Sequence, residues 1–345
     1  GLINVRRNGV VVERARTGFR FPISTVVVSP ETGEALYGSD VGDALAAGEL
    51  VVSVGAATLR SPELMVGDIL SIKGWNGRIR SARVASIAGN IPGEVLMTPA
   101  TAKVFGLQRP AWVMIWDVPD RVTLETALTT RGLMVPGVRV ERSWVAAPAD
   151  DVLSTVQIKH LLGEYAIAGS SSVQMDPRWV KANIVTFSFS IGGSVIVKRC
   201  HRDVGPKFQE VFDEITSAGL AQYIDIADTR RSGGCFNART IRSVGGSTGR
   251  NMSAHAWGMA FDLNTRANCM GCAPPPMDCR IVQIFRAHGF AWGGNFLTPD
   301  GMHFEYVGES RDQLAVRPGD FCQTPVSPPP TSVPIQRPVF NDTPQ

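Results

Sequence analysis

Two histidines and an aspartate in the second half of the chain have the residue types of a metal site. His255 and Asp262 lie close together in sequence, and His303 follows downstream. A zinc ion accepts neutral imidazole nitrogens and carboxylate oxygens, and a catalytic zinc has three protein ligands with the fourth position left for water. Because His255, Asp262 and His303 match that ligand count, we predict that they hold one zinc ion.

Hydrolysis at such a site needs a second kind of group. A zinc-bound water has its pKa lowered to about 7, but cleavage of an amide also requires a group that takes the water's proton and passes it to the leaving amine. Asp300, in a Pro-Asp-Gly turn shortly before His303, is the first candidate for this general acid/base. Glu305 is the second candidate, and alternatively it is an outer-shell partner that orients a ligand.

Strand-like segments must position these side chains. Side chains alternate between the two faces of a β-strand, so in the segment Met302–Tyr306 the side chains of His303 and Glu305 share one face while their neighbours point into an apolar layer. Asp262 likewise shares a face with Asn264. We therefore expect the candidate ligands to come from two strand-like segments.

The wider motif around these residues is far more specific than their spacing alone. It resembles the M15 family of zinc D-Ala-D-Ala carboxypeptidases and L-Ala-D-Glu endopeptidases, whose mark is Ser-x-His-x-x-Gly-x-Ala-x-Asp followed downstream by Asp/Glu-x-x-His. The matching positions are Ser253, His255, Gly258, Ala260, Asp262, Asp300 and His303. The resemblance extends over roughly Asp176 to Cys322, about two fifths of the chain.

The resemblance implies an α+β fold of the M15 type and a role for each matching residue. His255, Asp262 and His303 would be the zinc ligands, and Asp300 would be the general acid/base. The signalling domain of Hedgehog proteins has a similar metal core and works as a binding module, so an inactive zinc site is the alternative. Asp300 at the acid/base position favours the enzyme.

Substrate contacts are also carried over from the resemblance. Arg239 would meet the substrate's carboxylate or the oxyanion, and Ser253 would help to seat the peptide. Trp292, which precedes a Gly-Gly pair, is assigned to substrate binding as well. A Gly-rich stretch separates Arg239 from the histidine motif, so Arg242 and Arg250 are substitutes for it.

The remaining histidines and cysteines have plainer interpretations. Three histidines are predicted to be structural: His160, His201 and His288. Cys269, Cys272 and Cys279, with one more thiolate from Cys235, offer an alternative second zinc site. Their irregular spacing in a proline-rich loop favours disulfides or free thiols instead.

Composition excludes several classes of protein. The chain has 345 residues, room for two or three domains, and its 44% hydrophobic and 19% charged residues are typical of a folded protein. The net charge is only +3, and no Lys/Arg cluster is interleaved with aromatic residues, so we expect no nucleic-acid partner. No stretch has the roughly 18 uncharged apolar residues of a membrane span, so we expect none.

The first part of the chain, residues 1–147, has the pattern of a β-rich domain. Short apolar runs alternate with turn residues at Val10–Glu13, Thr25–Val28, Glu49–Val54, Trp112–Trp116 and Val138–Val145. The clearest element is a hairpin within Val66–Met97, because Asn76-Gly77 is a strong hairpin signal. We predict a small antiparallel barrel or sandwich with a structural or docking role.

Three further segments complete the predicted multidomain organisation. Residues 148–175 are a connector, because small residues and a proline at Ala146–Asp151 follow a strand pattern and precede an amphipathic stretch. Residues 176–322 are the M15-like zinc domain, with a hairpin at Val185–Cys200, a helix from Pro206 to Gly219 and a helix from Asp278 to Gly289. Residues 323–345 are an extended proline-rich tail.

The resemblance implies a substrate, and the flanking segments suggest a setting. The substrate would be the peptide stems of bacterial peptidoglycan, cut at a bond that involves a D-residue. No export signal is visible at the printed start, so a removed signal, release on lysis or carriage on a phage tail would bring the protein to the cell wall. Residues 1–147 and the tail resemble attachment devices that bind other subunits.

We therefore expect a hydrolase of the virion tail that acts in the host periplasm or cell wall. The alternatives are a secreted or periplasmic cellular D-Ala-D-Ala carboxypeptidase, and a structural or wall-binding tail protein.

Overall fold

The computed structural model describes most of the chain. The described residues are 1–107, 149–169, 173–231, 233–242, 248–272, 274–296, 298–312 and 320–323, with isolated residues 123, 126, 127, 130, 131 and 314. They fall into two compact units. The first unit lies within residues 1–111 and 153–182, and the second lies within residues 112–152 and 183–336.

The first unit is built on a seven-stranded sheet with the strand order β2-β1-β5-β6-β4-β7-β3. Its strands are β1 Leu2–Arg7, β2 Val10–Arg14, β3 Thr25–Val27, β4 Leu50–Ser53, β5 Ile69–Lys73, β6 Ile79–Ala88 and β7 Val95–Met97. A separate antiparallel ladder pairs β8 Ile167–Ala168 with β9 Gln174–Met175. The hairpin predicted at Asn76-Gly77 is confirmed, because β5 and β6 pair antiparallel on either side of it.

Two strand pairs of this sheet depart from the antiparallel arrangement that the sequence predicts. β3 runs parallel to β7, and β4 runs parallel to β6. Parallel neighbours need a crossover of about a dozen residues or more. Helix α3 and strand β5 lie in the segment between β4 and β6 and supply one. The first unit therefore contains a mixed sheet where we expected an antiparallel barrel or sandwich.

Short helices interrupt the region in which the sequence predicts only strands and turns. They are α1 Pro30–Tyr37, α2 Ser39–Ala46, α3 Val54–Thr58 and α4 Pro99–Val104. The hydroxyls of Ser29, Ser53 and Thr98 accept backbone N–H groups at the starts of α1, α3 and α4. Helix α5 Thr155–Leu162 begins with a capping box formed by Ser154 and Gln157, and α6 is Pro177–Asn183.

The second unit combines small antiparallel sheets with helices. Its strands are β10 Ile184–Ile191, β11 Ser194–His201, β12 Thr240–Arg242, β13 Thr248–Met252, β14 Ala260–Asp262, β15 Phe290–Trp292 and β16 His303–Tyr306. β10 pairs with β11, β12 pairs with β13, and the last three form a sheet with the order β14-β16-β15. The helices are α7 Gly205–Ser217, α8 Ile226–Arg231 and α9 Cys279–Ala287.

The elements predicted for this unit are confirmed. The hairpin β10–β11 pairs in register from Ile184 with His201 to Ile191 with Ser194. Helices α7 and α9 begin after Val204 and after the N-cap Asp278, and they pack against β10 and β15 respectively. A cluster of aromatic side chains forms the core between them: Phe189, Phe208, Phe212, Phe261, Phe285, Phe290 and Phe304.

All six cysteines form disulfides. The pairs are Cys200–Cys235, Cys269–Cys272 and Cys279–Cys322. This pairing selects the disulfide interpretation and overturns the alternative of a second, cysteine-ligated zinc site, because a disulfide sulfur is not a thiolate.

Several predicted segments lie outside the described residues: the strands Trp112–Trp116 and Val138–Val145, the start of the connector and nearly all of the tail 323–345. Among the helices that the structure describes, none has the length and apolar character needed to span a bilayer.

Candidate active site

Strands β14 and β16 bring two of the predicted ligands together. Asp262 and His303 are directly opposite each other in this antiparallel pair, so their side chains lie on the same face of the sheet. His303 Nδ1 lies 3.1 Å from Asp262 Oδ1. On the other face Phe304 stacks on Phe285 in the core, as the alternation along β16 predicts.

The third ligand comes from a short 3₁₀ turn, Ala254–Trp257, that precedes β14. Ser253 caps this turn by accepting the backbone N–H of His255. Gly258 ends the turn at φ +71°, where an added Cβ would lie 2.7 Å from the backbone nitrogen of His201. This geometry places His255 Nε2 at 3.1 Å from Asp262 Oδ1.

Hydrogen bonds on the far side of each imidazole determine which nitrogen faces the cluster. His255 Nδ1 donates to the carbonyl oxygens of Gly234 at 2.9 Å and Cys235 at 3.2 Å. His303 Nε2 donates to Glu305 Oε2 at 3.0 Å. Each ring therefore uses its outer N–H and presents the other nitrogen to Asp262, an arrangement that is typical of histidine ligands to metals.

The three side chains fit a metal ion. Ligand atoms from His255, Asp262 and His303 all lie within 4.8 Å of one another. When the outer N–H group of each imidazole is engaged, the inner nitrogens of both rings and the carboxylate oxygen are all acceptors. They face each other favourably only with a cation or a proton between them. Nitrogen and oxygen donors in this number are the set that zinc accepts.

The pKa shifts of Asp262 and His303 also indicate that the cluster favours a positive charge. Burial alone raises the pKa of Asp262, but the charge and hydrogen bonds of His255 and His303 outweigh it and hold that pKa well below its ordinary value. Burial alone lowers the pKa of His303, yet its hydrogen bonds to Asp262 and Glu305 raise it to about 10. The cluster therefore favours a positive charge among these three side chains.

Asp300 lies beside this cluster in a turn held by the backbone. Its N–H donates to Gly293 O at 2.8 Å, and its carbonyl accepts the N–H of His303 at 3.0 Å. Its carboxylate oxygen Oδ1 is buried and has no hydrogen-bond partner among the described residues. Burial raises the pKa of Asp300 against the lowering effect of the His303 charge. A partly buried carboxylate with an unused acceptor and a raised pKa has the properties of a general base.

Two further predicted residues lie close to the site: Arg239 near Asp300 and Glu305 beside His303. Arg239 is partly buried, its Nη1 donates to Thr240 O at 3.3 Å, and its charge lowers the pKa of Asp300. Glu305 is buried against His303, which is the outer-shell position. The side chains of Arg242 and Arg250, the substitutes for Arg239, lie outside the described residues.

The position of Trp292 does not fit its predicted role in substrate binding. Its ring is fully buried, and its indole N–H donates to Gly301 O at 2.8 Å. A side chain with no accessible surface cannot contact a substrate, so Trp292 supports the turn that precedes His303. Ser253 is also buried, and its hydroxyl is engaged in the cap of the His255 turn.

Two supporting features were not predicted from the sequence. Gly233 and Gly234 border the cluster at φ +69° and +108°, and their only signal is a Gly-Gly pair. Asp150, placed in the predicted connector, is buried and accepts from Arg286 Nε at 3.0 Å and from the Trp292 backbone N–H at 2.9 Å. An Asp-Asp pair after a proline and an alanine has no pattern that predicts burial of the first aspartate.

Comparison with protein families finds a match within the second unit. A family model described as D-alanyl-D-alanine carboxypeptidase matches residues 246–306, which include all three candidate ligands and Asp300. This match supports an M15-family peptidase. No curated protein and no solved structure matches the chain. The matched segment carries the His–Asp–His cluster, and Arg239 lies before it.

Proposed function

We propose that the second unit is a zinc-dependent peptidase that hydrolyses peptide bonds in the stem peptides of bacterial peptidoglycan. One observation carries the proposal: three acceptor atoms converge at the distance of metal ligands, next to a buried carboxylate oxygen without a partner. The M15 match over the same residues supports a peptidase and suggests peptidoglycan peptides as its substrate.

The residues of the cluster have separate tasks in this proposal. His255, Asp262 and His303 hold the zinc ion, and Gly234, Cys235 and Glu305 keep the two imidazoles in place. When bound, zinc supplies Lewis-acid chemistry that polarises a carbonyl group and lowers the pKa of water.

Asp300 would move the proton of the reaction. Its Oδ1 is an available acceptor, and its raised pKa favours uptake of a proton from water, which Asp300 would then pass to the leaving amine nitrogen. Arg239 would pair with a substrate carboxylate or with the developing oxyanion, since guanidinium suits both.

We further propose that the chain works outside the cytosol, as part of a phage tail. Three disulfides support an oxidising compartment. The separate first unit supports an attachment role, because the described part of it contains no His/Cys/Asp/Glu group with metal-ligand geometry. A cellular D-Ala-D-Ala carboxypeptidase is the second candidate, since the matching family model has that description.

The test is digestion of purified peptidoglycan by the full chain, with Asp300→Asn alongside. We expect soluble fragments from the unmodified protein only, no fragments in the presence of a zinc chelator, and equal zinc binding by both proteins. Mass spectrometry of the products then distinguishes release of single D-alanine, expected of the carboxypeptidase, from release of larger stem fragments. Equal binding of zinc without cleavage by either protein would overturn the peptidase and favour a binding module.

A further inference from the structure

A short segment outside the family match holds the ligand His255 on two sides. Gly233, Gly234 and Cys235, here termed the ligand strap, supply two carbonyl oxygens that accept from His255 Nδ1. Just beyond the strap, Asn237 N donates to His255 O at 2.9 Å. Because the Nδ1 bonds orient the ring, the position of the strap determines whether His255 Nε2 points at Asp262.

Neither glycine of the strap has room for a side chain. An added Cβ at Gly233 would overlap the carbonyl oxygen of Asp262, and one at Gly234 would lie 2.9 Å from Lys198 Cδ. Both glycines have a positive φ, a backbone conformation that residues other than glycine rarely adopt. The strap is therefore packed between the backbone of one ligand and the stem of Lys198.

The end of the strap is fastened to strand β11. Cys235 forms a disulfide with Cys200, and both residues are buried. The next residue, Phe236, donates its N–H to Arg199 O at 2.8 Å. Of the three disulfides, Cys200–Cys235 is the one with a cysteine, Cys235, whose carbonyl oxygen accepts a hydrogen bond from a candidate metal ligand.

We propose that the Cys200–Cys235 disulfide is a positioning element of the metal site. It holds the strap carbonyls against His255 Nδ1, so that Nε2 stays aimed at Asp262 Oδ1. The inference rests on the proposed zinc site and deepens it. Removing the disulfide should weaken zinc binding, because loss of an outer-shell partner of a histidine ligand costs about 10–100-fold in metal affinity.

A matched pair of variants separates this role from ordinary stabilisation. C200A/C235A removes the proposed element, and C279A/C322A removes a disulfide that spans a similar length of chain, 43 residues against 35. The chain-entropy contribution of a disulfide depends on this length, so both variants should lose similar thermal stability. Neither Cys279 nor Cys322 hydrogen-bonds a candidate ligand among the described contacts.

The measurement is the Zn²⁺ dissociation constant of each full-length protein, obtained by competition with a chromogenic chelator below all melting transitions. We expect a constant about 10–100-fold weaker for C200A/C235A and an unchanged constant for C279A/C322A. Equal constants for the two variants would overturn the inference and leave the zinc site standing. Failure of the unmodified protein to bind Zn²⁺ would overturn the proposed function and this inference together.

A second pair keeps the test decisive if C200A/C235A does not fold. Gly233→Ala forces the strap away from Asp262 with every disulfide intact, whereas Gly193→Ala has a similar φ of +80° in open space. Only Gly233→Ala should weaken Zn²⁺ binding. Unchanged binding by Gly233→Ala would mean that the strap does not position His255, and the inference would fail.

Discussion

Both units bury ionisable side chains that pair with opposite charges, but the second unit also brings three candidate metal ligands together. In the first unit the buried Lys159 ammonium lies 2.7 Å from carboxylate oxygens of both Glu94 and Glu164, and Arg60 also pairs with Glu164. Positive and negative groups alternate, and each charge has an opposite neighbour. In the second unit the ligand atoms of His255, Asp262 and His303 all lie within 4.8 Å of one another.

This difference separates a structural network from a candidate active site. A buried ion pair is stable when each charge is compensated within the fold. A group of converging acceptors is stable only when something is added, which is the condition for binding a cation and reacting at it. The distinction depends on the sign and pairing of the buried groups, since burial itself is common to both units.

Replacing Asp262 is expected to have the largest effect on zinc affinity. Asp262→Asn removes the charge on which both imidazoles converge, so the loss of zinc affinity should exceed the roughly 10–100-fold that an outer-shell partner contributes. Zinc titration measures the loss, and release of peptidoglycan fragments should fall with it. Asp278→Asn, at the N-cap of α9, is the matched control and should bind zinc normally. Normal zinc affinity in Asp262→Asn would mean that the cluster is a structural network and not a metal site.

Replacing Lys159 tests the other side of the comparison. Lys159→Met leaves Glu94 buried without its cation and Glu164 paired with Arg60 alone, which should cost about 3–5 kcal/mol in the free energy of unfolding, measured with urea. Zinc affinity should not change. Arg83→Met breaks the more exposed pair with Glu49 and should cost less than about 1 kcal/mol. Similar losses in both variants would contradict the role of the buried network.

Asp150 shows that the second unit also contains a compensated pair. Asp150→Asn removes the charge opposite Arg286, which is buried and has Cys322 O as a further acceptor. We expect a loss of about 3 kcal/mol in the free energy of unfolding with zinc affinity retained. A large loss of zinc affinity in the folded variant would instead make Asp150 part of the site.

The smallest expected effect concerns pH. Because the folded protein raises the pKa of Asp300, it holds more protons than the unfolded chain just above the ordinary aspartate pKa, and unfolding free energy falls as pH rises through that window. Metal-free Asp300→Asn should therefore be slightly more stable than the unmodified protein at neutral pH, in urea unfolding. An unchanged or lower stability would contradict the burial of this charge.

Local patterns predicted the elements that position the site. Alternation along β16 predicted that His303 and Glu305 share a face, and the spacing of apolar residues predicted α7 and α9. In the first unit, the cap signals at Ser29 and Thr98 were present in the sequence and indicate helices that the strand pattern obscured. These features could be predicted because they depend on neighbouring residues.

Features that depend on distant residues could not be predicted in this way. The parallel pairing of β4 with β6, the choice of Cys200 as the partner of Cys235, and the burial of Asp150 each join segments far apart in the chain. Nothing in the local pattern indicates which of several compatible partners is chosen.

The amino-acid sequence by itself determined which side chains can bind a metal and carry a proton, because residue type and local spacing specify donor atoms and strand faces. Tertiary structure alone decided that His255, Asp262 and His303 meet, that the strap fixes the ring of His255, and that Trp292 lies in the core rather than at the site. The physical reason is that coordination and burial are properties of atoms brought together across long stretches of chain. Only packing determines those distances.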